Sequence, residues 1–350
     1  MGDLTAFQVE RGWRVAVACP LEGDLPRWVT AAGARHLAWR ASRAPGPSVV
    51  GETLRLRKLV RAFAPDLVHL HSAKAGLAGR LAISGRIPTV FQPHAWSFHA
   101  SGGAVGRGAL LWERRASRRA DVIVCVSDRE RAQGEAAGVR ATWRVVPNGV
   151  DLDRFRPRDR AEARRALGLD PGPLAVCIGR LSRQKGQDIL VDAWRTVAAA
   201  LPDARLALVG GGPDETMLRA RAGPGILFPG PTSEVETWLA AADVIALPSR
   251  WEGMSLSMLE AMAAGRSIVI SDVAGAREAV DNASGAVVPP EDRPALAEAL
   301  RERLTDPELR EREGRSARRR AESRFSLENS LAAMVRVYDE VLEGRGPGQP

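Results

Sequence analysis

Two carboxylates lie on either side of a short run of backbone amides in the stretch from Leu247 to Gly265. The stretch has the pattern of a strand end, a polar turn and a helix that opens near Ser255 and ends at Gly265, where glycine suits the left-handed position after a helix. Glu252 lies in the turn and Glu260 lies inside the helix. Amides at a helix N-terminus attract anions, and here they belong to Gly253, Met254, Ser255 and Leu256. The pattern predicts a site for a ligand that carries both phosphate and hydroxyl groups, and an unrelated pair of surface glutamates is the alternative.

A second turn offers cations to the same kind of ligand. Gly179 follows the predicted strand Leu174–Ile178, and Arg180, Lys185 and Gly186 complete a turn that leads into a predicted helix. A helix N-terminus with two cations in reach can neutralise a diphosphate, and glycine lets the backbone approach a ligand closely. An ordinary exposed loop with two cations would show the same local pattern.

Glycines also end the next predicted strand, Leu206–Val209. Gly210 and Gly211 would let a base or a ribose lie against the backbone, although such a run is also typical of a tight turn. Glu260 would then suit the ribose, because one carboxylate can accept hydrogen bonds from two neighbouring hydroxyls. These turns together lead us to expect a nucleotide-sugar site in the second half of the chain.

Histidines mark the strand ends of the first half. His94 ends the predicted strand Thr89–Gln92, where a neutral imidazole could bond a sugar hydroxyl or serve only structure. His71 and Lys74 lie in a loop and helix N-terminus that could face an anionic acceptor, although Lys74 also fits an ordinary surface position. His69 and His71 share one face of a strand and, with His94, suggest zinc, but no carboxylate or cysteine completes the spacing. We therefore expect no metal.

Strands and helices alternate along both halves of the chain, which predicts doubly wound α/β domains with parallel sheets. The turn-rich passage Pro147–Asp151 separates them. We expect a first domain over 1–150 and a second over 151–325. A helix over 326–343 and a Gly/Pro-rich, unstructured tail over 344–350 follow.

Composition limits the classes of function. The chain has 350 residues, 45% of them hydrophobic, and no run long enough to span a bilayer. The three cysteines show neither metal spacing nor a disulfide framework, and no signal peptide is visible, which favours the cytoplasm. The net charge is +8, with the excess in the first half. Because no nucleic-acid motif accompanies this charge, we expect no nucleic-acid partner and consider instead a peripheral contact with an anionic membrane.

The order of these motifs resembles that of the retaining glycosyltransferases of family GT4. The resemblance rests on the turn from Gly179 to Gly186, the glycines at Gly210, the stretch from Glu252 to Glu260, and the loop at His94. It implies a GT-B fold, in which two Rossmann-like doubly wound domains face a central cleft. It also implies that the last helix crosses back to the first domain.

The resemblance also implies an activity, namely transfer of a sugar from a nucleotide-sugar, UDP-linked first and GDP-linked next, to an acceptor hydroxyl with retention. Arg180 and Lys185 would clamp the diphosphate, and Glu252 would stand near the sugar and stabilise developing positive charge. His94 would complete the catalytic residues. The acceptor would be a glycan or a lipid-linked glycan in surface polysaccharide or glycolipid synthesis, and no cofactor is expected.

Two departures from the family keep alternatives open. The residues from Met1 to Gln8 have a helical pattern, and the family's first strand and Gly-rich turn are not seen before them. Either the chain starts too far downstream or the first domain lacks this element. Ala95 stands where the family usually has glycine. The alternatives are an inactive protein that still binds nucleotide-sugar, and a GT-B glycosyl phosphorylase or epimerase.

Overall fold

The computed structural model describes residues 1–42, 46–100 and 102–344, which divide into two compact units. The first unit comprises the described residues of 1–125 and 131–146 and those from Leu331 onward, and the second comprises 126–130 and 147–330. Apart from Gly344, the predicted tail 344–350 lies outside the described residues.

The first unit contains six short strands and most of the early helices. Its strands are β1 (Ala16–Cys19), β2 (Arg35–Ala38), β3 (Val68–His71), β4 (Thr89–Gln92), β5 (Val122–Cys125) and β6 (Trp143–Val145). The helices in this part of the chain are α1 (Gly2–Glu10), α2 (Leu25–Ala31), α3 (Val49–Phe63), α4 (Ser72–Ile83), α5 (Ser97–Ala100), α6 (Gly103–Ala116) and α7 (Asp128–Ala136).

These strands form two parallel sheets instead of the single sheet expected. One has the order β3-β4-β5-β6, and β1 pairs only with β2 in the other. Strand β2 was not predicted, because Arg35–Ala38 contains a histidine and an arginine and shows no apolar run. Among the described residues no backbone hydrogen bonds join β1 to β3, and the two sheets are therefore counted separately.

Side chains of the four-stranded sheet pack on both of its faces. Val122 and Val124 of β5 lie in one apolar cluster with Met334, whereas Ile123 lies in another with Trp96. Alternation along the strand produces this division, and burial on both faces explains why β5 is apolar throughout.

The second unit contains one larger sheet. Its strands are β7 (Leu174–Ile178), β8 (Arg205–Val209), β9 (Ile226–Gly230), β10 (Val244–Leu247), β11 (Ser267–Ser271) and β12 (Gly285–Val288). The helices in this part of the chain are α8 (Arg160–Ala166), α9 (Gln187–Ala200), α10 (Glu215–Arg221), α11 (Val235–Ala241), α12 (Leu256–Ala263), α13 (Ala276–Ala279), α14 (Arg293–Thr305), α15 (Pro307–Arg324) and α16 (Leu327–Gly344). Helix α16 contributes its residues from Leu331 onward to the first unit.

All strands of this sheet are parallel, in the order β12-β11-β10-β7-β8-β9. The strand order reverses between β7 and β10, where Ala175 pairs with Val244 and Val176 with Ile245. In such sheets a crevice opens beyond the carboxyl ends of the strands at the point of reversal. The turns that follow β7 and β10 are the two turns for which the sequence predicted an anion site.

No helix among the described residues is both long enough and apolar enough to cross a membrane.

Candidate functional site

The turns after β7 and β10 touch through their backbones. Gly186 has a φ of +69°, and a Cβ atom there would lie 2.1 Å from the carbonyl oxygen of Pro248. A side chain at this position would therefore separate the two turns. The glycine that the sequence linked to ligand approach is thus also required for the packing of protein on protein.

This contact brings a predicted cation to a predicted carboxylate. The Nζ atom of Lys185 lies 2.6 Å from Oε1 of Glu252, and the hydroxyl of Ser249 donates to the same oxygen at 3.0 Å. Both charged side chains are largely shielded from solvent. A ligand phosphate that binds Lys185 must therefore compete with Glu252 for the ammonium group.

Arg180 differs from Lys185 in having no protein partner. Its guanidinium is exposed, and it makes no hydrogen bond or ion pair with the rest of the described chain. The backbone of its turn is fixed by Gln187, which donates to the Arg180 carbonyl at 3.0 Å and accepts from the Ser182 amide at 3.3 Å. The turn is therefore ordered while its cation stays available.

Two residues that the sequence reasoning missed hold the turns together. Arg250 donates both terminal nitrogens to the carboxylate of Asp188, at 2.8 and 2.7 Å, and its Nε to Glu291 at 2.5 Å. Its backbone amide donates to the Gln184 carbonyl at 2.8 Å. The hydrogen bonds to Asp188 raise the pKa of Arg250 above its ordinary value. Arg250 and Asp188 lie far apart in sequence, and only the pairing of β7 with β10 brings them together.

Backbone amides at the start of α12 are left without a partner by the described chain. Within the described chain, the amides of Gly253, Met254 and Ser255 donate to no other residue. Their carbonyl side is fixed instead: Gly253 accepts from the Ser127 hydroxyl at 3.3 Å, and Met254 accepts from the Asn148 amide group at 2.9 Å. The Ser255 hydroxyl is buried and has no hydrogen-bond partner. An anion at this helix N-terminus would meet donors that the protein leaves unused.

Glu260 is a carboxylate without hydrogen-bond donors. No described side chain or amide donates to it, and burial raises its pKa to about 7, with Glu236 raising it further and Arg154 opposing this. Arg154 instead donates to Glu236. Hydroxyl donors of a ligand would satisfy this carboxylate and restore its charge.

The glycines after β8 have a structural cause. A Cβ atom at Gly210 would lie 2.1 Å from the Gly179 carbonyl oxygen, and one at Gly211 would lie 3.0 Å from the ring of Pro231. The glycine run therefore lets the turn after β7 pack against the turn after β8. A role for Gly210 and Gly211 in ligand binding stays a prediction.

Three histidines of the first unit, all partly buried, form a chain of contacts. Strand pairing sets His71 opposite Gln92, and Nδ1 of His71 lies 3.0 Å from Nε2 of His94. The ring of His69 lies 3.7 Å from that of His71, and its Nδ1 lies 2.7 Å from the hydroxyl of Tyr338. Burial lowers the pKa of His94 to about 4 and that of His69 to about 3. At neutral pH these rings are therefore uncharged and can each donate one hydrogen bond.

The turn at His94 is strained. His94 has a φ of +54° and Ala95 a φ of +100°, a region in which glycine is at ease and other residues are not. The alanine that departs from the family pattern therefore adopts a backbone conformation suited to glycine. Among the described residues, no set of three or more His, Cys, Asp or Glu side chains has an arrangement for a metal ion. That the protein needs no metal stays a prediction.

Lys74 lies in a buried ion pair. Its Nζ atom is 2.6 Å from Oε2 of Glu52, and the Ser42 and Ser48 hydroxyls donate to the other oxygen of Glu52 at 3.1 and 2.8 Å. Burial alone would raise the pKa of Glu52, but these bonds, that from Lys74 above all, lower it to about 2. The structure thus gives Lys74 a partner inside its own unit, and its role toward an acceptor stays a prediction.

Comparisons with known proteins show which family the chain matches. Two family profiles match the chain, Glycosyltransferase Family 4 over residues 1–154 and Glycosyl transferases group 1 over residues 172–306. The lipopolysaccharide core biosynthesis mannosyltransferase LpsB of Rhizobium meliloti is 30% identical over 246 residues, which cover 66% of this chain and 69% of the relative. A GDP-mannose-dependent alpha-(1-6)-phosphatidylinositol monomannoside mannosyltransferase of Mycobacterium tuberculosis is 34% identical over 282 residues, which cover 75% of this chain and 72% of the relative.

A solved structure aligns with nearly the whole chain. Anabaena HepE in complex with UDP and glucose has a TM-score of 0.83 over 97% of this chain and 95% of that chain, at 21% identity. WaaG, described as a glycosyltransferase involved in lipopolysaccharide biosynthesis, has a TM-score of 0.77 at 19% identity and covers 96% of this chain. At these identities the similarity concerns the fold.

Proposed function

The chain belongs to glycosyltransferase family 4 and has the GT-B fold, and we propose that it transfers a sugar from a nucleotide-sugar to an acceptor hydroxyl with retention at the anomeric carbon. The observation that carries this proposal is the meeting of two turns in the second unit. They bring Lys185 to Glu252, and the same turns carry the exposed Arg180 and the unused amides before α12. These groups suit a diphosphate that leaves from a sugar.

In the proposed reaction the bond between the anomeric carbon and the diphosphate oxygen breaks, and a bond to the acceptor oxygen forms on the same face of the sugar. Lys185, Arg180 and the amides at the start of α12 stabilise the charge on the departing diphosphate. The acceptor proton passes to the leaving phosphate oxygen. No protein base is then required, which fits the pKa of about 4 of His94, because so low a pKa makes that imidazole a weak base.

Glu252 and Glu260 serve different ends of the donor in this proposal. Release of Lys185 to the diphosphate leaves Glu252 free to face the sugar, where it stabilises positive charge at the anomeric carbon. Glu260 accepts the ribose hydroxyls, which supply the donors that its carboxylate lacks in the protein. His94 stays a predicted catalytic residue, and its imidazole is uncharged at neutral pH.

We place GDP-mannose first among the donors and a UDP-sugar second, the reverse of the order expected from sequence. The support is the naming of relatives: the proteins 33% and 34% identical to this chain are described as GDP-mannose-dependent. The HepE structure that contains UDP is only 21% identical. An acceptor carried by a glycolipid or polysaccharide is supported in the same way, by the lipid and lipopolysaccharide acceptors in the relatives' names.

A peripheral membrane contact and a cytoplasmic location are part of the same proposal. Helix α3 exposes Val50 and Leu54, which are 70% and 55% accessible, on the same face as Lys58 and Arg61. Apolar side chains beside cations suit an anionic lipid surface. Flotation with phosphatidylglycerol vesicles should fall when Val50 and Leu54 are both replaced by serine, whereas Val105→Ser, at another exposed position, should leave it unchanged. Equal flotation of all three proteins would remove α3 from the proposal.

The first test of the proposed function is thermal unfolding of the chain with GDP-mannose, UDP-glucose and the free diphosphates, followed by an assay of diphosphate release. A ligand that binds only the folded state raises Tm by mass action. We expect GDP-mannose to give the largest rise and Lys185→Ala to abolish it.

The assay also separates the alternatives. Diphosphate release that requires an acceptor supports transfer. Phosphate-dependent glycan cleavage would indicate a phosphorylase, and sugar isomerisation without an acceptor would indicate an epimerase. Binding without turnover under any condition would indicate an inactive nucleotide-sugar-binding protein.

A further inference from the structure

Four arginines gather around two carboxylates at the amino ends of strands β7, β10 and β11 in the second unit. The arginines are Arg160, Arg164, Arg266 and Arg310, and the carboxylates are Asp243 and Glu311. Four positive and two negative charges leave this arginine cluster with a formal excess of +2. The cluster lies at the opposite ends of the strands from the donor turns, because Asp243 immediately precedes β10 and Pro248 follows it.

The two carboxylates are occupied by three of the arginines. Oδ2 of Asp243 accepts from Arg164 at 2.6 Å, and Oδ1 lies 3.4 Å from both Arg160 and Arg310. The amide of Leu174 also donates to Asp243, at 2.8 Å. Glu311 accepts from Arg160 at 2.6 Å. None of these contacts involves the fourth arginine.

Arg266 is the arginine that forms no ion pair with either carboxylate. It is 6% exposed, and within the described chain no carboxylate lies within 4.0 Å of it. One terminal nitrogen donates to the Arg158 carbonyl at 2.9 Å, but its Nε is buried without a hydrogen-bond partner. Burial, and then the charge of Arg160, lower its pKa to about 10. A buried guanidinium with an unused donor is costly for a folded protein unless something satisfies it.

We propose that the arginine cluster binds a dianionic phosphate group, either free phosphate or a phosphate monoester, with Arg266 as its main ligand. A dianion cancels the excess of +2, and its oxygens accept from the unused Nε of Arg266. Arg160 and Arg310 are 24% and 15% accessible, so the cluster is open to solvent on their side. The site is separate from the proposed donor site, since β10 spans about 13 Å between them.

The donor turns would also attract phosphate, so the test removes them first. The background protein carries Arg180→Ala and Lys185→Ala, and its Tm is measured at pH 8 in rising inorganic phosphate, against sodium chloride of equal ionic strength. We expect a saturable rise of about 3 °C beyond the chloride series. Adding Arg266→Gln should abolish that rise, and adding Arg301→Gln, at an exposed position paired with Glu298, should retain it.

The order of stabilities in the absence of phosphate distinguishes a binding role from a structural one. If Arg266 binds the dianion, Arg266→Gln removes an uncompensated buried charge. Without phosphate this variant should therefore unfold at the same temperature as the background protein or at a higher one. In saturating phosphate it should unfold at a lower temperature than the background protein. A Tm loss of equal size at every phosphate concentration would overturn the proposal. A Tm that rises linearly with phosphate concentration, with or without Arg266, would also overturn the proposal. Such a rise would reflect only the exclusion of phosphate from the protein surface.

Equilibrium dialysis of the background protein covers the case in which Arg266→Gln does not fold. One bound phosphate per chain that Arg310→Gln weakens supports the site. No bound phosphate, or one that Arg310→Gln leaves unchanged, overturns it, because the amides at the start of α12 remain in the background protein. Glucose 1-phosphate that binds more tightly than inorganic phosphate would assign the site to monoesters, and equal affinity would assign it to the free ion. A negative result in this test would not count against the proposed donor site, because the background protein already lacks the cations of that site.

Discussion

The predicted site residues of the two units differ in how far the protein itself satisfies them. In the second unit Lys185 and Glu252 pair with each other, but within the described chain Arg180 has no partner, Glu260 receives no hydrogen bond and the amides at the start of α12 are unused. In the first unit Lys74 is held by Glu52, and His71 by His94. Buried groups without internal partners lower stability unless a ligand completes them, exposed ones such as Arg180 stay free to bind a ligand, and groups with partners stabilise their own unit. The difference suggests that ligand recognition is concentrated in the second unit and that much of the first unit's polar cluster is structural.

The largest expected effect tests the second unit. Lys185→Ala should lower kcat/KM by about 100-fold or more, because it removes a charge that faces the leaving diphosphate. Steady-state kinetics with the donor identified by thermal unfolding measures this. Arg219→Ala, at an exposed position on α10, is the control and should leave kcat/KM unchanged. If Lys185→Ala retained full activity, the diphosphate site would have to lie elsewhere.

The second prediction tests whether Lys74 is structural. Lys74→Met should reduce the free energy of unfolding by about 3 kcal/mol, because it leaves the Glu52 carboxylate buried without its cation. Donor affinity should not change. The double variant Lys74→Met with Glu52→Gln should recover part of the loss, since it removes the stranded charge. Urea unfolding measures the stability and donor titration measures the affinity. A weaker donor affinity with normal stability would show that Lys74 serves ligand binding and not the stability of the first unit.

A smaller effect is expected from Arg250, which joins the two donor turns without being placed near the ligand. Arg250→Met should lower kcat/KM by about tenfold, because loosened turns separate Lys185 from Glu252. Arg250→Lys should not restore activity, because one ammonium group cannot reproduce the two-pronged bond to Asp188. The pH dependence of kcat should be unchanged, which distinguishes positioning from direct chemistry. An Arg250→Met enzyme with native kinetics would show that the turns hold their geometry without this brace.

The smallest effect concerns Glu260 and depends on pH. Its pKa is raised from the ordinary 4.5 to about 7, so the folded protein favours the protonated carboxyl, and the stability that this group contributes below pH 4.5 is lost as the pH rises through 7. Glu260→Gln cannot ionise. Its Tm should match that of the native chain near pH 4.5 and exceed it by a few degrees at pH 8.

Donor affinity should show the opposite trend for the same residue. In the native chain it should weaken as the pH falls below 7, because protonation removes an acceptor for the ribose hydroxyls. In Glu260→Gln it should be low at every pH. A variant less stable than the native chain at pH 8, or one that binds donor normally, would remove Glu260 from the site.

The expected fold was confirmed because its signals are local. Apolar runs such as Val244–Leu247 predict strands buried on both faces, and the polar turn before α12 predicts a helix N-terminus. The expected family is also confirmed, since its motifs consist of residue types at short spacing. Strand β2 escaped prediction because Arg35–Ala38 is exposed at both ends and carries no apolar signal.

By itself, the sequence determined which segments form strands and helices, which turns carry charge, and which family those turns belong to. Only the tertiary structure decided which of these charges meet. Lys185 and Glu252 lie in turns that follow different strands, and they pair because β7 and β10 are neighbours where the strand order reverses. Tertiary packing likewise brings Lys74 to Glu52 and leaves Arg266 without a carboxylate. The partner of a side chain depends on sheet order and helix packing, which are set by the burial of the whole chain and not by the residues beside it.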